Sequence, residues 1–295
     1  MTFKLKNKNL EIHIDHPAKN YKFSRFDWSG KIAEVLFKNI PLTQTEKFNG
    51  SNEHFKGKGC YNEFGINEAL GFDDTDIGGW FHKIGIGLLK KTDSSYHFEK
   101  PYDIKPAQFS VKPSLNNITI RCKSDIYNGY AYVLKKNISL LNSGFLISYE
   151  LENRGSKDII TDEYTHNFIA INNTKIGSAY DLKFPNVLHQ ELFDEVVNPE
   201  KLIKLSQNSF EFIKSPSTPF FFSNLSGGKK VRAQWEIQNI KNQIAIKEVG
   251  DFFTKKINLW GCNHVISPEL FHQIQLKPGE TSSWSRSYTV MNMTR

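Results

Sequence analysis

Residues 162–172 read DEYTHNFIAIN, a short run rich in aromatic and β-branched residues with one histidine at its centre. Such a run favours a β-strand, in which successive side chains point to opposite faces. The face that includes the histidine carries Asp162, Tyr164, His166, Phe168 and Ala170. A histidine among aromatic rings, with a carboxylate on the same face, suits proton transfer. A half-buried structural histidine held by hydrogen bonds is the alternative interpretation.

The composition is that of a globular protein rich in β-structure. Of the 295 residues, 39% are hydrophobic and 23% are charged, which excludes a disordered chain. The 23 phenylalanines and 11 tyrosines favour strands over helices. No change of texture marks a domain boundary, so we expect a single domain over residues 1–295.

Charge and cysteine content limit the classes of partner. The formal net charge is +7, but the basic residues form scattered pairs without a nucleic-acid-binding motif, so no nucleic-acid partner is expected. No run approaches the ~18 apolar residues of a membrane span, and no signal peptide is recognised at the start. The three cysteines, Cys60, Cys122 and Cys262, form neither a disulfide framework nor a zinc motif. We therefore expect a cytoplasmic protein without a zinc site.

Short strands separated by turns follow one another along most of the chain. Asn128-Gly129 and Asn142-Ser-Gly144 are typical turn signals, and residues 188–206 are the best candidate for a helical or irregular insertion. This spacing without intervening helices predicts an all-β sandwich or barrel. The predicted strands include 9–14, 21–30, 31–38, 80–91, 108–112, 117–122, 130–140, 144–152, 209–214, 219–223, 231–238, 243–248, 252–260, 272–276 and 282–291.

Polar residues in unusual surroundings are candidates for ligand binding. Arg25 would share a strand face with Asp27, so it either binds a ligand or pairs with Asp27 at the surface. Lys83 would share a face with two glycines in the strand 80–91, which leaves space for a ligand unless the glycines form a bulge. Residues 41–80, which include Glu63, show little periodicity and predict a lid or binding loop. The acidic cluster at residues 73–76 suits either calcium or solvent.

Four stretches together resemble the galactose mutarotase, or aldose 1-epimerase, superfamily, and most closely its bacterial aldose epimerase-like members. They are SRFDWSG (24–30), YTHNF (164–168), LWGCNHVISPELF (259–271) and LKPGETSSWSRSYT (276–289). The resemblance implies a β-supersandwich of antiparallel sheets with few short helices, and a sugar bound on a concave sheet surface. It also implies an isomerase that interconverts the anomers of a monosaccharide without a cofactor.

The resemblance assigns the catalytic roles to His166 and Glu269. His166 would protonate the ring oxygen as general acid, while a glutamate would deprotonate the anomeric hydroxyl as general base. In many relatives that glutamate falls where this chain has Ser267. Glu269 lies two residues later and would face the same way in a strand. Alternatively, Ser267-Pro268-Glu269 begins a helix, with serine as the N-cap and proline in the first turn.

The remaining site residues would hold a monosaccharide or a sugar acid. Arg25, Glu63 and Lys83 would bind hydroxyls or a carboxylate. Trp260 and Trp80 are candidate stacking surfaces, with core packing as the alternative for both. A second histidine of many epimerases has no clean counterpart, because His82 is followed by Lys83 on the glycine-bearing face. A non-catalytic carbohydrate-binding module and, third, a sugar lyase or uronate isomerase are the other functions considered.

Overall fold

The computed structural model describes residues 2–17, 19–46 and 56–293, and the regular secondary structure of these residues consists almost entirely of β-strands. The described residues contain no α-helix, and the two 3₁₀ turns are Ile171–Asn173 and Gln190–Leu192. The strands in chain order are β1 (Thr2–Lys6), β2 (Leu10–Asp15), β3 (Lys31–Phe37), β4 (Ile40–Pro41), β5 (Cys60–Phe64), β6 (Trp80–Lys83), β7 (Gly87–Lys90), β8 (Ile104–Pro106), β9 (Gln108–Pro113), β10 (Asn117–Lys123), β11 (Tyr132–Leu141), β12 (Gly144–Asn153), β13 (Ile159–Asn167), β14 (Tyr180–Lys183), β15 (Glu195–Val197), β16 (Ile203–Leu205), β17 (Ser209–Phe212), β18 (Phe220–Ser223), β19 (Val231–Asn239), β20 (Ile244–Thr254), β21 (Ile257–Gly261), β22 (Ile266–Leu270), β23 (His272–Leu276) and β24 (Thr281–Asn292).

Two large antiparallel sheets enclose the main core. The seven-stranded sheet has the order β1-β2-β3-β5-β13-β23, with β4 paired to β3. The ten-stranded sheet has the order β16-β17-β14-β19-β20-β24-β12-β11-β10-β9. Aliphatic side chains of both sheets, such as Ile12 and Ile32 from the first and Ile120 and Ile147 from the second, belong to one buried cluster. The predicted all-β, antiparallel class is confirmed.

Two smaller sheets complete the described fold beside this sandwich. One has the order β15-β18-β21-β22 and the other β6-β7-β8. A second buried cluster, rich in aromatic rings, includes Phe26, Phe81 and Phe168. It draws on residues of the small sheets and on segments beside β13, and this is where the candidate site lies. The prediction of a single domain over residues 1–295 stays a prediction.

Charged side chains are buried between the large sheets, behind β13. Arg286 of β24 donates from Nη2 to Glu163 of β13 and from Nη1 to Glu248 of β20, each at 2.7 Å. Lys136 of β11 donates to Asp27 at 2.8 Å and to Asn62 at 2.6 Å. A charge taken out of water is tolerated only when it is paired and hydrogen-bonded. These contacts therefore fix how the two sheets lie against each other.

The strand predicted at residues 80–91 is wrong, because the segment is a tight hairpin of β6 and β7. The Ile86 N–H donates to the Lys83 carbonyl at 3.0 Å, and Gly85 adopts φ +83°. A Cβ at Gly85 would lie 2.1 Å from the Asp27 carboxylate, so only glycine fits there. The glycines close a turn instead of leaving open space beside Lys83.

Two further predictions about the first third of the chain need correction. Residues 21–30 form no strand, although both Arg25 and Asp27 are buried. Residues 41–80 are not a structureless loop throughout, because β5 is a fully buried strand that pairs with β13. The part of the proposed lid at residues 47–55 lies outside the described residues. The irregular insertion predicted at 188–206 is confirmed as a 3₁₀ turn with two three-residue strands.

Replacing Arg286 by methionine should destabilise the protein strongly. The change leaves Glu163 and Glu248 buried without their cation, and loss of one partner of a buried pair typically costs about 3–5 kcal/mol. Urea unfolding of the wild type and of Arg286→Met measures this loss. Arg232→Met, at an exposed position of β19, is the matched control and should change the free energy of unfolding by less than about 0.5 kcal/mol. Equal stability of the two variants would contradict the structural role of the buried pair.

Candidate functional site

His166 and Glu269 face each other on neighbouring strands. Glu163 of β13 pairs with His272 of β23. Ile169, six residues after Glu163, forms an antiparallel bridge with Ile266, six residues before His272. The same register therefore extends through β22 and places His166 opposite Glu269. Their closest atoms, His166 Nε2 and Glu269 Oε1, lie 3.4 Å apart.

The helix start considered for Ser267-Pro268-Glu269 is wrong, because these residues form the middle of β22. The strand pairs with β21, and Trp260 lies opposite Ser267 while Asn258 lies opposite Glu269. Pairing along the strand thus overrides a local sequence signal for a helix N-terminus. The side chain of Glu269 consequently points to the same face as that of Ser267, as a strand requires.

Asn167 ties β13 to β22 at the position next to the histidine. Its backbone N–H donates to Ser267 Oγ at 2.9 Å, and its Nδ2 donates to the Pro268 carbonyl at 2.9 Å and to Glu248 Oε2 at 3.0 Å. The Tyr288 hydroxyl donates to its Oδ1 at 3.0 Å. The separation between His166 and Glu269 is therefore held by a residue that points to the opposite face. The sequence did not indicate this role, although the position directly after the histidine was the available signal.

Aromatic rings surround the imidazole of His166. The Phe168 ring stacks on it at 4.1 Å with an interplanar angle of 11°, and the Trp260 ring lies at 5.3 Å in a T-shaped arrangement. His166 is 3% exposed and Glu269 is 4% exposed, whereas Trp260 is half-buried. Within the described part of the chain, Nδ1 of His166 is buried and makes no hydrogen bond. A buried polar atom of this kind is a place where a ligand hydroxyl would be favourable.

The surroundings determine which member of the pair carries a proton. Burial, reinforced by the nearby Arg25 guanidinium, lowers the pKa of His166 well below its ordinary value. Burial raises the pKa of Glu269 to about 8, opposed by Arg25 and Lys256 and reinforced by Glu63. At neutral pH the imidazole is therefore uncharged, and the proton resides mainly on the carboxyl group of Glu269.

Arg25, Glu63 and Lys83 form one buried ionic network on the face of β13 that carries the histidine. Arg25 Nε lies 3.1 Å from Glu63 Oε2, and Lys83 Nζ lies 3.1 Å from Glu63 Oε1. The Tyr164 hydroxyl donates to Glu63 Oε2 at 2.7 Å. The three residues proposed from the sequence are thus brought together. Pairing of Arg25 with Asp27 at the surface, the alternative interpretation, is wrong.

The ammonium group of Lys83 has all of its hydrogens engaged within the protein. Besides Glu63, it donates to the Gly65 carbonyl at 3.1 Å and to the Tyr96 hydroxyl at 2.8 Å. Burial lowers the pKa of Lys83, and the adjacent Glu63 opposes that effect. Its immediate role is to neutralise Glu63, and contact between Lys83 and a ligand stays a prediction.

The other candidates from the sequence lie away from the pair. The Trp80 ring is covered by Lys105 Nζ at 4.0 Å from its centroid. His82 is buried with Nε2 3.4 Å from the Tyr127 carbonyl, and burial lowers its pKa to about 4. Asp74 pairs with Lys157 at 3.0 Å, and among the described residues no group of three or more His, Cys, Asp or Glu is arranged to hold a metal ion.

A cavity of about 500 Å³ opens at the other end of β13, around Asp162, Gln273 and Gln275. It does not include His166 or Glu269. The buried rings of Tyr164 and Phe271 stack at 4.6 Å and lie between this cavity and the His166–Glu269 pair. The His166–Glu269 pair, rather than this cavity, is the candidate site, because it brings an imidazole nitrogen and a carboxyl oxygen within 3.4 Å of each other.

The fold is a β-sandwich similar to that of galactose mutarotase-like proteins. Over 100% of this chain and 98% of the other, the fold is similar to that of a galactose mutarotase related enzyme from Lactobacillus acidophilus, with a TM-score of 0.62 and 14% identity. A galactose mutarotase-like protein from Clostridium acetobutylicum has a TM-score of 0.59 and 13% identity, over 99% of this chain and 95% of the other. An aldose epimerase homologue from C. elegans has a TM-score of 0.59 and 8% identity, over 100% of this chain and 99% of the other.

Comparison of the amino-acid sequence with family models and with curated proteins finds no match. The structural similarities, at identities of 8–14%, establish the fold. The β-supersandwich implied by the sequence resemblance is therefore confirmed. Within the described residues, no helix has the length and apolar character needed to cross a membrane.

Neutralising Glu269 permanently should change how stability depends on pH. The pKa of Glu269 is about 8 in the folded protein, against an ordinary value of 4.5 for the unfolded chain. Between these two pH values only the folded protein keeps the proton, so the free energy of unfolding of the wild type falls as pH rises. Glu269→Gln has no ionisable group at this position and does not show this loss. Between pH 5 and pH 9 its free energy of unfolding should therefore rise, relative to that of the wild type, by on the order of a few kcal/mol. Urea unfolding at both pH values measures the difference. The exposed Glu195→Gln is the matched control and should follow the wild type, and identical pH dependence of all three proteins would contradict the raised pKa.

Proposed function

We propose that this protein is a cofactor-independent, cytoplasmic enzyme that interconverts the anomers of an aldose, with residues 1–295 acting as one unit. His166 and Glu269 exchange protons with the sugar. The observation that carries the proposal is the 3.4 Å separation of a neutral imidazole nitrogen from a carboxyl oxygen in a buried, aromatic-lined site. The fold shared with mutarotase-like proteins gives it further support, since similar folds often place their sites alike, although a fold alone does not fix a function.

The spacing of the pair suits the chemistry of ring opening. The anomeric hydroxyl and the ring oxygen are bonded to the same carbon, so the groups that remove and supply their protons must also lie close together. Two groups 3.4 Å apart reach both oxygens from one side of the sugar. One proton leaves the hydroxyl while another reaches the ring oxygen, and the reverse transfer after rotation of the aldehyde closes the other anomer.

The protonation states of His166 and Glu269 assign the roles of acid and base in the opposite way to that implied by the sequence resemblance. Because His166 is uncharged at neutral pH, it removes the proton from the anomeric hydroxyl. Because Glu269 is protonated below pH about 8, it supplies the proton to the ring oxygen. Each group then has the protonation state that its step requires, without a prior transfer between them.

The charges around the pair favour a neutral sugar over a sugar acid. Arg25 and Lys83 are balanced by Glu63 and by Glu46, whose Oε1 lies 3.5 Å from Arg25 Nη1. The Nη1 and Nη2 groups of Arg25 lie 3.5 Å from Glu46 and from the Tyr164 hydroxyl, so they retain hydrogens for sugar hydroxyls. Lys83 contributes by neutralising Glu63. The half-buried Trp260, next to His166, provides the stacking surface and the entry point.

A non-catalytic sugar-binding module is the second candidate. The observation that favours it is the low exposure of the pair, 3% for His166 and 4% for Glu269, because a substrate reaches them only if the aromatic cover moves. Saturation-exchange NMR on a panel of neutral aldoses distinguishes the two functions. Accelerated exchange between anomers supports the enzyme, while binding without faster exchange supports the module.

Replacing His166 by asparagine should remove most of the anomeric exchange. A positioned acid or base contributes about 10²–10⁴-fold, so a loss of that order is expected for the aldose that the wild type converts fastest. Exchange rates from saturation-transfer NMR, at equal concentrations of folded protein, give the ratio. His189→Asn, at an exposed histidine, is the control and should keep the wild-type rate. Full activity of His166→Asn would rule out this residue as the proton acceptor.

The pH profile of exchange should show that the active form of the pair carries one proton. With His166 neutral and Glu269 protonated, the enzymatic rate falls as pH rises through about 8, because the pair loses that proton. If ionised Glu269 acted as base together with an acid other than His166, the rate would rise through the same interval. Exchange rates between pH 6 and pH 9.5, corrected for the uncatalysed reaction in buffer, distinguish the two profiles. A rising profile would rule out Glu269 as the acid.

A further inference from the structure

The hairpin between β21 and β22 carries a cysteine and a histidine at its tip. The Cys262 N–H donates to the Val265 carbonyl at 2.9 Å and closes the turn. The tip is anchored from outside, because the Ile176 N–H donates to the Asn263 carbonyl at 3.0 Å and the Ser215 hydroxyl approaches the same oxygen at 3.4 Å. The two reactive side chains are therefore held in a defined relation to each other.

Contacts of the His264 ring decide where its hydrogens lie. Nε2 is 3.0 Å from the Thr45 carbonyl oxygen, which only accepts hydrogen bonds, so Nε2 carries a hydrogen. Nδ1 is 3.2 Å from Cys262 Sγ and 2.9 Å from Asn263 Oδ1. A hydrogen on Nδ1 would lie between the Cys262 sulfur and the Asn263 oxygen, so the geometry suits a ring that carries the thiol proton.

We propose that Cys262 and His264 form a thiolate–imidazolium pair, which makes Cys262 a site of covalent modification by peroxides and other soft electrophiles. A thiolate is the reactive form of cysteine, and an adjacent imidazolium is one of the environments that produces it. The carbonyl of Thr45 orients the imidazole, as a third group orients the base in other nucleophile–base pairs.

The charges near the tip are compatible with the pair. Glu46 follows Thr45, but its carboxylate is directed to Arg25 Nη1 at 3.5 Å and to the Gly57 N–H at 2.9 Å. In the sequence, Lys175 and Lys214 directly precede Ile176 and Ser215, the two residues that anchor Asn263. On the inner side, Cys262 belongs to the aromatic cluster that includes Phe168 and Trp260, which contribute no charge.

The other two cysteines are internal references in the same chain. All three cysteines are buried, but Cys60 and Cys122 are 0% exposed within the main core, whereas Cys262 retains 9% exposure at a hairpin tip. Burial raises the pKa of both core thiols far above the ordinary range. In the folded protein they should therefore remain unreactive while Cys262 reacts.

Oxidation by hydrogen peroxide would proceed in one balanced step. The Cys262 thiolate attacks one peroxide oxygen, an S–O bond forms, the O–O bond breaks and hydroxide leaves. The hydroxide takes the proton from the His264 imidazolium and becomes water. The products are a cysteine sulfenic acid, a neutral imidazole and water, with the sulfur oxidised and the peroxide reduced.

Alkylation of the native protein by iodoacetamide tests the pair. Intact-mass and peptide analysis should show one adduct, at Cys262, with a rate whose pH midpoint lies below the ordinary thiol value of about 8.5. Because an ordinary thiol is only a few per cent ionised at pH 7, His264→Gln should slow alkylation at pH 7 about tenfold or more. Asn263→Ala, which keeps both reactive side chains, should slow it less.

The outcomes separate a reactive pair from a merely accessible thiol. Peroxide followed by a sulfenic-acid trap should label Cys262 in the wild type and much more slowly in His264→Gln. The proposal is overturned if Cys262 reacts no faster than Cys60 and Cys122, if its pH midpoint is 8.5 or higher, or if His264→Gln matches the wild type. Circular dichroism of each variant verifies the fold, and none of these readouts depends on sugar turnover.

Discussion

A buried charge cluster behind β13 is the constraint on which the candidate site depends. Arg286 reaches from β24 to Glu163 on β13 and to Glu248 on β20, and all three side chains are sealed from solvent. Their hydrogen bonds require the two large sheets to meet at one separation and in one register. A slip of one residue would turn every side chain of β13 to the other face, burying an unpaired carboxylate and removing His166 from its aromatic cover.

The two faces of β13 are coupled through Asn167. Behind the strand, its amide contacts Glu248 and Tyr288. At the same residue, its backbone and amide hold Ser267 and Pro268 of the strand that carries Glu269. The ionic core and the candidate acid–base pair therefore form one connected hydrogen-bonded system. Arg286 adds a second link, because its Nη2 donates to the carbonyl of Leu270, the residue after Glu269, at 2.8 Å.

Much of the fold could be predicted from the sequence because most strands have one buried and one exposed face. In β12, inward Ile147, Tyr149 and Leu151 alternate with more exposed neighbours, and Asn128-Gly129 adopts the positive φ angles of its predicted turn. The position of His166 on a strand was also predictable, since the aromatic and β-branched run around it has no competing interpretation.

The rest could not be predicted because local patterns were overridden by contacts distant in sequence. β5 carries Glu63 in a run with both faces buried, so it lacks the alternation that marks a strand. Arg286 lies in a strand that looks half-exposed, and nothing nearby in sequence identifies Glu163 as its partner. The helix-like signal at Ser267-Pro268-Glu269 gave way to pairing with β21 and to the bond from Asn167.

The wide spacing of these partners along the chain bears on biosynthesis. Glu163 and His166 emerge from the ribosome more than a hundred residues before Arg286. Until that last strand arrives, the growing polypeptide holds carboxylates with no cation to bury them against, so the sandwich closes late. A translation product that stops before residue 286 would keep most of its hydrophobic segments yet fail to assemble, which makes it a natural target for chaperones and proteases.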